Sequence, residues 1–207
     1  MIVEFFGHAG AGKTTVAELI SEEYGIPIAK IRSRSKLLYF NFIFTIRHPV
    51  KFFGRFFYVI GNSINLKMFY YKLMNAFMQV NAKHQKALRF KGPVILDQGY
   101  LQSAMSMFEY KVSKAELQKY FKNILWPDKL VIFEASEEII KNRLKERGYK
   151  VRQFLSEEYL KEREKIVEHN DKVFKNLAPS FPCQVLTVDA TQLPAEIAKK
   201  IFNFIKS

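Results

Sequence analysis

Along the chain, short apolar runs alternate with stretches whose apolar positions recur at helical spacing. Met1 to Phe6 is apolar except for Glu4 and closes on Gly7, which predicts a buried strand. From Lys13 to Tyr24, Val16, Ala17, Leu19 and Ile20 fall at helical spacing, with Gly25 and Pro27 as stop signals. Ile26 to Ile31 reads as a second strand. Residues 35–91 read as helical pieces, broken near His48-Pro49 and Gly61-Asn62 and ended by Gly92-Pro93. Val94 to Leu96 is a third strand closing on Asp97, followed by two helices, the second opened by a capping box of Ser113 and Glu116. Leu130 to Phe133 is a fourth strand ending at Glu134. Ser136 then caps a helix to Arg147, and a basic loop leads into a long helix from about Glu157 to Leu177. Gln184 to Val188 and a terminal helix from Pro194 complete the pattern. Five apolar runs alternating with helices predict an α/β fold, with a five-stranded parallel sheet covered on both faces.

With 207 residues, 48% of them hydrophobic and 26% charged, the chain suits one domain and is too apolar for wholesale disorder. The single cysteine, Cys183, excludes an internal disulfide framework and a multi-cysteine zinc site, and nothing at the start resembles a signal peptide. A cytoplasmic location is therefore expected. The net charge of +13 is unevenly placed. No acidic residue lies between Glu23 and Asp97, while thirteen Lys and Arg do, and the remaining 20 balance the 20 Asp and Glu. That stretch also carries aromatics from Tyr39 to Phe90, so positive charge is coupled to large apolar surface.

Gly7-His8-Ala9-Gly10-Ala11-Gly12-Lys13-Thr14 satisfies G-x-x-x-x-G-K-[ST] and stands after the first strand, opening a helix. Glycines at Gly7, Gly10 and Gly12 let backbone N–H groups approach a phosphate chain, and the helix that follows directs its positive end at the same anion. In this motif Lys13 reaches the β and γ phosphates and the Thr14 hydroxyl takes Mg²⁺, so a nucleoside triphosphate site is expected. His8, His48, His84 and His169 are scattered and read as no metal cluster.

Asp97 ends the third strand, where a carboxylate beside such a loop can hold the Mg²⁺ shell, accept the acceptor's proton, or simply cap the next helix. Arg143 and Arg147 are four apart on one helix face and lead to the loop bearing Arg152. Arginines closing from residues 148–156, acting as a lid, can stabilise the charge of a transferring phosphoryl group. A solvated face paired with Glu146 and Glu157 accounts for the same spacing.

With those residues in place, the sequence resembles the P-loop nucleoside and nucleotide kinases, and most the thymidylate kinase group, over residues 1–34 and 94–207. The matching features are the loop from Gly7 to Thr14, Asp97-Gln98-Gly99-Tyr100 with Ser103, Val131-Ile132-Phe133 followed by Arg143, Arg147 and Arg152, and Val188-Asp189-Ala190-Thr191. The resemblance implies a P-loop NTPase three-layer sandwich using ATP and Mg²⁺. It implies a nucleotide-binding set of the loop with Thr15, Asp189, Ala190 and Thr191, and a metal held by Thr14 and Asp97. Lys13, Asp97 and the three arginines are the implied catalytic groups. On the acceptor side the family's Arg-Glu-Pro is replaced by Ile31-Arg32-Ser33-Arg34, and Gln98 stands where an arginine is expected, so Arg32, Arg34 and Gln98 are the acceptor-side candidates.

Residues 35–91 have no counterpart in that family and read as a helical insertion between the second and third strands. Three functions compete for them. They can form an acceptor-binding subdomain that gathers an anionic substrate. Phe52, Phe53, Phe56, Phe57 and Tyr58 beside Lys51 and Arg55 can make an interfacial helix for anionic lipid. Aromatic and basic groups can also bind single-stranded nucleic acid, the least favoured of the three. Exposed aromatics can equally make a homodimer face. The expected activity is transfer of the ATP γ-phosphoryl group to a small anionic or hydroxyl acceptor, nucleotide-like or lipid- or sugar-linked. An ATPase switch acting at a membrane or on nucleic acid is the alternative.

Overall fold

The computed structural model describes residues 1–146 and 156–207. β1 (Ile2–Phe6) is buried at all five positions and leads through a loop into α1 (Lys13–Tyr24), which ends on a left-handed Gly25. The chain then runs through α2 (Arg34–Arg47), α3 (Pro49–Gly61), α4 (Leu66–Lys72), a π-helical stretch Leu73–Met78, and α5 (Gln79–Ala87). β2 (Val94–Leu96), α6 (Tyr100–Met107), α7 (Lys114–Phe121), β3 (Lys129–Glu134), α8 (Glu137–Glu146), α9 (Glu157–Leu177), β4 (Gln184–Asp189) and α10 (Pro194–Lys206) follow. Several local signals act where the sequence puts them. Pro49 and Pro194 stand in the first turns of α3 and α10, and Ser113 and Glu116 form the reciprocal capping box of α7.

Among the described residues the sheet has four strands rather than five, all parallel, in the order β2-β1-β3-β4. The run from Ile26 to Ile31 makes one bridge, Ile28 to Ile95. Ala29 N donates to Ile95 O and Ile95 N donates to Pro27 O, each at 2.9 Å. Pro27 has no N–H to offer and the segment lies at the sheet's edge, so the bridge does not grow into a ladder.

Alternation along the strands creates the layers. Val3, Phe5, Val131 and Phe133 face one way and pack with Ile20 of α1 and Ile197 and Ile201 of α10. Phe6, Leu130 and Ile132 face the other way and pack with Leu101 of α6, Leu117 of α7 and Phe174 of α9. The Phe6 and Phe174 rings stack at 3.8 Å.

The aromatics of α3 divide between core and surface. Phe52, Phe56 and Tyr58 pack on the core, and Arg55 is fully buried. Only Phe53 and Phe57 of the five expected at an interface face outward, because Arg55 has inward partners that fix the helix. Its guanidinium donates to Asn81 Oδ1 and, at 2.7 Å, to Ala76 O, and lies 4.4 Å from the Tyr100 ring centroid and 5.4 Å from that of Phe77.

Candidate phosphate-binding site

Gly7, Gly10 and Gly12 have φ of 149°, 88° and 84°, where side chains with a Cβ are strained. At two of them space is also lacking. A Cβ on Gly7 would lie 2.8 Å from Phe133 O, and one on Gly10 would lie 3.2 Å from Leu144 Cγ, so β3 and α8 close directly on the loop. Lys13 is buried, and its Nζ donates to the carbonyl of Gly7 and, at 2.8 Å, to that of His8. Burial lowers its ammonium from 10.5 to about 8, with Asp97 acting in the opposite direction. Thr14 and Thr15 are exposed in the first turn of α1, Ala9 is exposed, and Ala11 is buried. A helix start bearing a buried ammonium and free hydroxyls can take a polyphosphate.

Asp97 follows β2 at the same end of the sheet and forms an ion pair with Lys83 at 2.9 Å. Its electrostatic influence on Lys13 couples it to the loop. The Thr14 hydroxyl and the Asp97 carboxylate are hard oxygen donors, the type that Mg²⁺ takes. Among the described residues no group of three or more His, Cys, Asp and Glu forms a metal cage. A magnesium ion at this place would find Thr14 and Asp97 as protein oxygen donors, with phosphate and water as the usual further ligands of Mg²⁺.

Two residues that sequence reasoning passed over form the floor of the loop. Gly7 N donates to Gln102 Oε1 at 2.8 Å, and Gln102 N donates to Glu4 Oε1 at 2.9 Å. Glu4 is fully enclosed at the start of α6, and its other oxygen, Oε2, makes no well-aligned hydrogen bond among the described residues. Burial raises its carboxyl from 4.5 to about 7, while the amides of Gln102, Leu101 and Tyr100 and the charge of Arg55 work against that rise. Gly99 has no Cβ because one there would collide with the Glu4 carboxylate. The available signal was a lone acid inside an apolar strand, which must find partners; nothing comparable marks Gln102 or Lys83.

His8 lies 3.6 Å from Asp171 of α9, which also pairs with Lys175 at 2.8 Å. Burial opposes ionisation of Asp171, but His8 and Lys175 outweigh it and hold the carboxyl below its usual value. Arg143 donates to Ala190 O at 3.0 Å, tying α8 to the turn after β4. In that turn Asp189 Oδ1 accepts from Thr191 N at 2.9 Å and from Thr191 Oγ1 at 2.7 Å. Arg143 and Asp189 to Thr191 thus form one unit beside the loop that α8 covers.

Other sequence candidates fall elsewhere. Arg32, Arg34 and Gln98 are exposed, and Ser33 between the arginines caps α2 by accepting from Lys36 N at 3.3 Å. Tyr100 is fully buried and donates to Asn81 Oδ1 at 3.1 Å, and Ser103 donates to Tyr100 O at 2.8 Å, so both serve packing. Arg147 and Arg152, with most of the expected lid, lie outside the described residues.

No family model matches the chain, and no curated protein matches it in sequence. Solved structures do match. The chain is similar to deoxyadenosine kinase from M. mycoides with bound dATP, at 20% identity and a TM-score of 0.59, with 100% of each chain covered. It is similar to the same enzyme with products dCMP and a flexible dCDP bound, at 18% identity and a TM-score of 0.58, over 100% of this chain and 99% of that one. It is also similar to the YorR protein from Bacillus subtilis in complex with phosphorylated GDP, at 18% identity and a TM-score of 0.53, over 100% and 96%. At these identities the likeness is one of fold: the chain shares the fold of these solved structures.

Proposed function

We propose that the chain is an ATP-dependent phosphotransferase that moves the γ-phosphoryl group to a nucleoside or nucleotide acceptor. The observation that carries this reading is the loop from Gly7 to Thr14, with Lys13 buried against it and coupled to Asp97, at the end of a parallel sheet. The deoxynucleotides named for the similar structures support the acceptor class.

Loop amides and the start of α1 bind the phosphates, and Lys13 exchanges the Gly7 and His8 carbonyls for phosphate oxygens. Thr14 and Asp97 would hold Mg²⁺, which neutralises charge on the β and γ phosphates. On a hydroxyl acceptor Asp97 has the alternative role of taking the proton, leaving Mg²⁺ to Thr14, phosphate and water, as the acceptor oxygen bonds to the γ phosphorus and the bond to the β-phosphate oxygen breaks, releasing ADP. Lys83 orients Asp97. Arg143, with Arg147 and Arg152, supplies positive charge to the group in transit, residues 148–156 acting as the lid. The basic helices within residues 35–91 form the acceptor side, with Arg32, Arg34 and Gln98 at its margin.

The test is a screen of nucleosides, nucleoside monophosphates, sugars and lipid-linked acceptors with ATP and Mg²⁺, reading ADP together with the phosphorylated product. The expected result is acceptor-dependent ADP that falls at least about 100-fold in Asp97→Asn. ADP release that ignores every acceptor would instead identify an ATPase.

A further inference from the structure

We propose that the outer face of α2 and α3 docks on an anionic lipid bilayer. Of the fifteen large apolar side chains exposed among the described residues, eleven lie between residues 38 and 70. Val50, Phe53, Phe57 and Ile60 recur every three or four residues along α3, and Ile64, in the link to α4, is exposed as well. Leu38, Phe42 and Ile46, each four apart, make an exposed apolar row on α2, which packs against α3. Val50 and Leu66 are 80% and 85% exposed.

This orientation is locked from within. Turning α3 to bury Phe53 and Phe57 would pull Arg55 away from Asn81, Ala76 and the Tyr100 ring. The helix therefore presents its apolar row outward while its arginine stays inside.

Charge selects the occupant. Arg47 at the end of α2, Lys36 near its start and Lys67 in α4 are exposed, and no acidic residue occurs between Glu23 and Asp97. A second copy meeting this face across a two-fold axis would bring Arg47 and Lys67 against like charges, with no carboxylate from the face's own segment, residues 24–96, to pair them. Nucleic acid offers no partner for the aliphatic Val50, Ile60 and Ile64, which have no ring to stack. An anionic lipid surface satisfies both features, taking apolar side chains below the headgroups and cations among them. No helix among the described residues is long and apolar enough to cross a membrane, so the contact is with one leaflet.

The experiment is flotation of the full chain with phosphatidylcholine vesicles, with and without roughly a third phosphatidylglycerol, at low and high salt. Phe53→Glu/Phe57→Glu on α3 and, on α2, Phe42→Glu are compared with the wild type after circular dichroism shows each folded. The proposal expects at least about tenfold stronger partitioning to the anionic vesicles, weakened by salt and lost in both variants, with MgATP binding unchanged. Three results would overturn it: no flotation with anionic vesicles, flotation indifferent to the apolar substitutions, or a dimer by light scattering that these substitutions dissolve while wild type ignores vesicles.

Discussion

The Glu4 carboxylate accepts the backbone amide of Gln102 at 2.9 Å, and the Gln102 side chain accepts the amide of Gly7 at 2.8 Å, so a buried acid in β1 is two hydrogen bonds from the phosphate loop. Burial raises the Glu4 carboxyl from 4.5 to about 7. Between those values the folded chain binds more protons at Glu4 than the unfolded chain does. Stability from this group is complete below the lower value and is lost as pH rises through the upper one, about 3 kcal/mol in all. His84 has the opposite effect: burial lowers its imidazole from 6.5 to about 4, so its contribution grows with pH across that window. The overlap makes the difference between proteins the useful readout. Urea unfolding of Glu4→Gln and wild type should diverge in favour of the variant by roughly 2 to 3 kcal/mol from about pH 5 to pH 7.5. Parallel curves would show that Glu4 does not titrate as described.

Gly99 and Glu4 should be energetically coupled. Gly99 has φ of −119° and ψ of −152°, extended backbone that alanine tolerates, so only the collision with the Glu4 carboxylate opposes a Cβ there. Gly99→Ala should destabilise the wild type by about 1 to 3 kcal/mol, since Glu4 must leave the α6 amides, and by less than about 0.5 kcal/mol in a Glu4→Ala background. A double-mutant cycle by thermal or urea unfolding measures this, and additivity would refute it.

Nucleotide affinity should depend on pH through Lys13. Its ammonium is lowered to about 8 by burial, and phosphate binding requires the protonated form. The Kd for MgATP, followed by calorimetry, should be nearly flat below about pH 7.5 and weaken by up to about tenfold per unit above the Lys13 value. The Lys13→Met variant should lack this slope.

The layers, the loop and most helix boundaries were legible because each has a local cause: alternation in β1 and β3, the G-x-x-x-x-G-K-T string, Pro49, and the Ser113 and Glu116 box. The Ile26 to Ile31 strand was over-read because an apolar run does not reveal how few partners an edge position offers. Long-range pairings were beyond reach. The link from Glu4 to Gln102 spans 98 residues and that from Arg143 to Ala190 spans 47, and neither has a spacing to betray it. Arg55 was misplaced for a related reason: its burial depends on Asn81 and Tyr100, which only the packed fold brings to α3.

The most direct test of the account is isothermal titration of MgATP into wild type and Lys13→Met. Wild type is expected to bind one nucleotide per chain with a Kd between about 1 μM and 1 mM, and the variant to bind at least about tenfold more weakly, since it retains the loop amides but lacks the ammonium. A folded wild type that gives no heat with MgATP or MgGTP, or a variant that binds as well as wild type, would contradict the assignment of Gly7 to Thr14 as a triphosphate site.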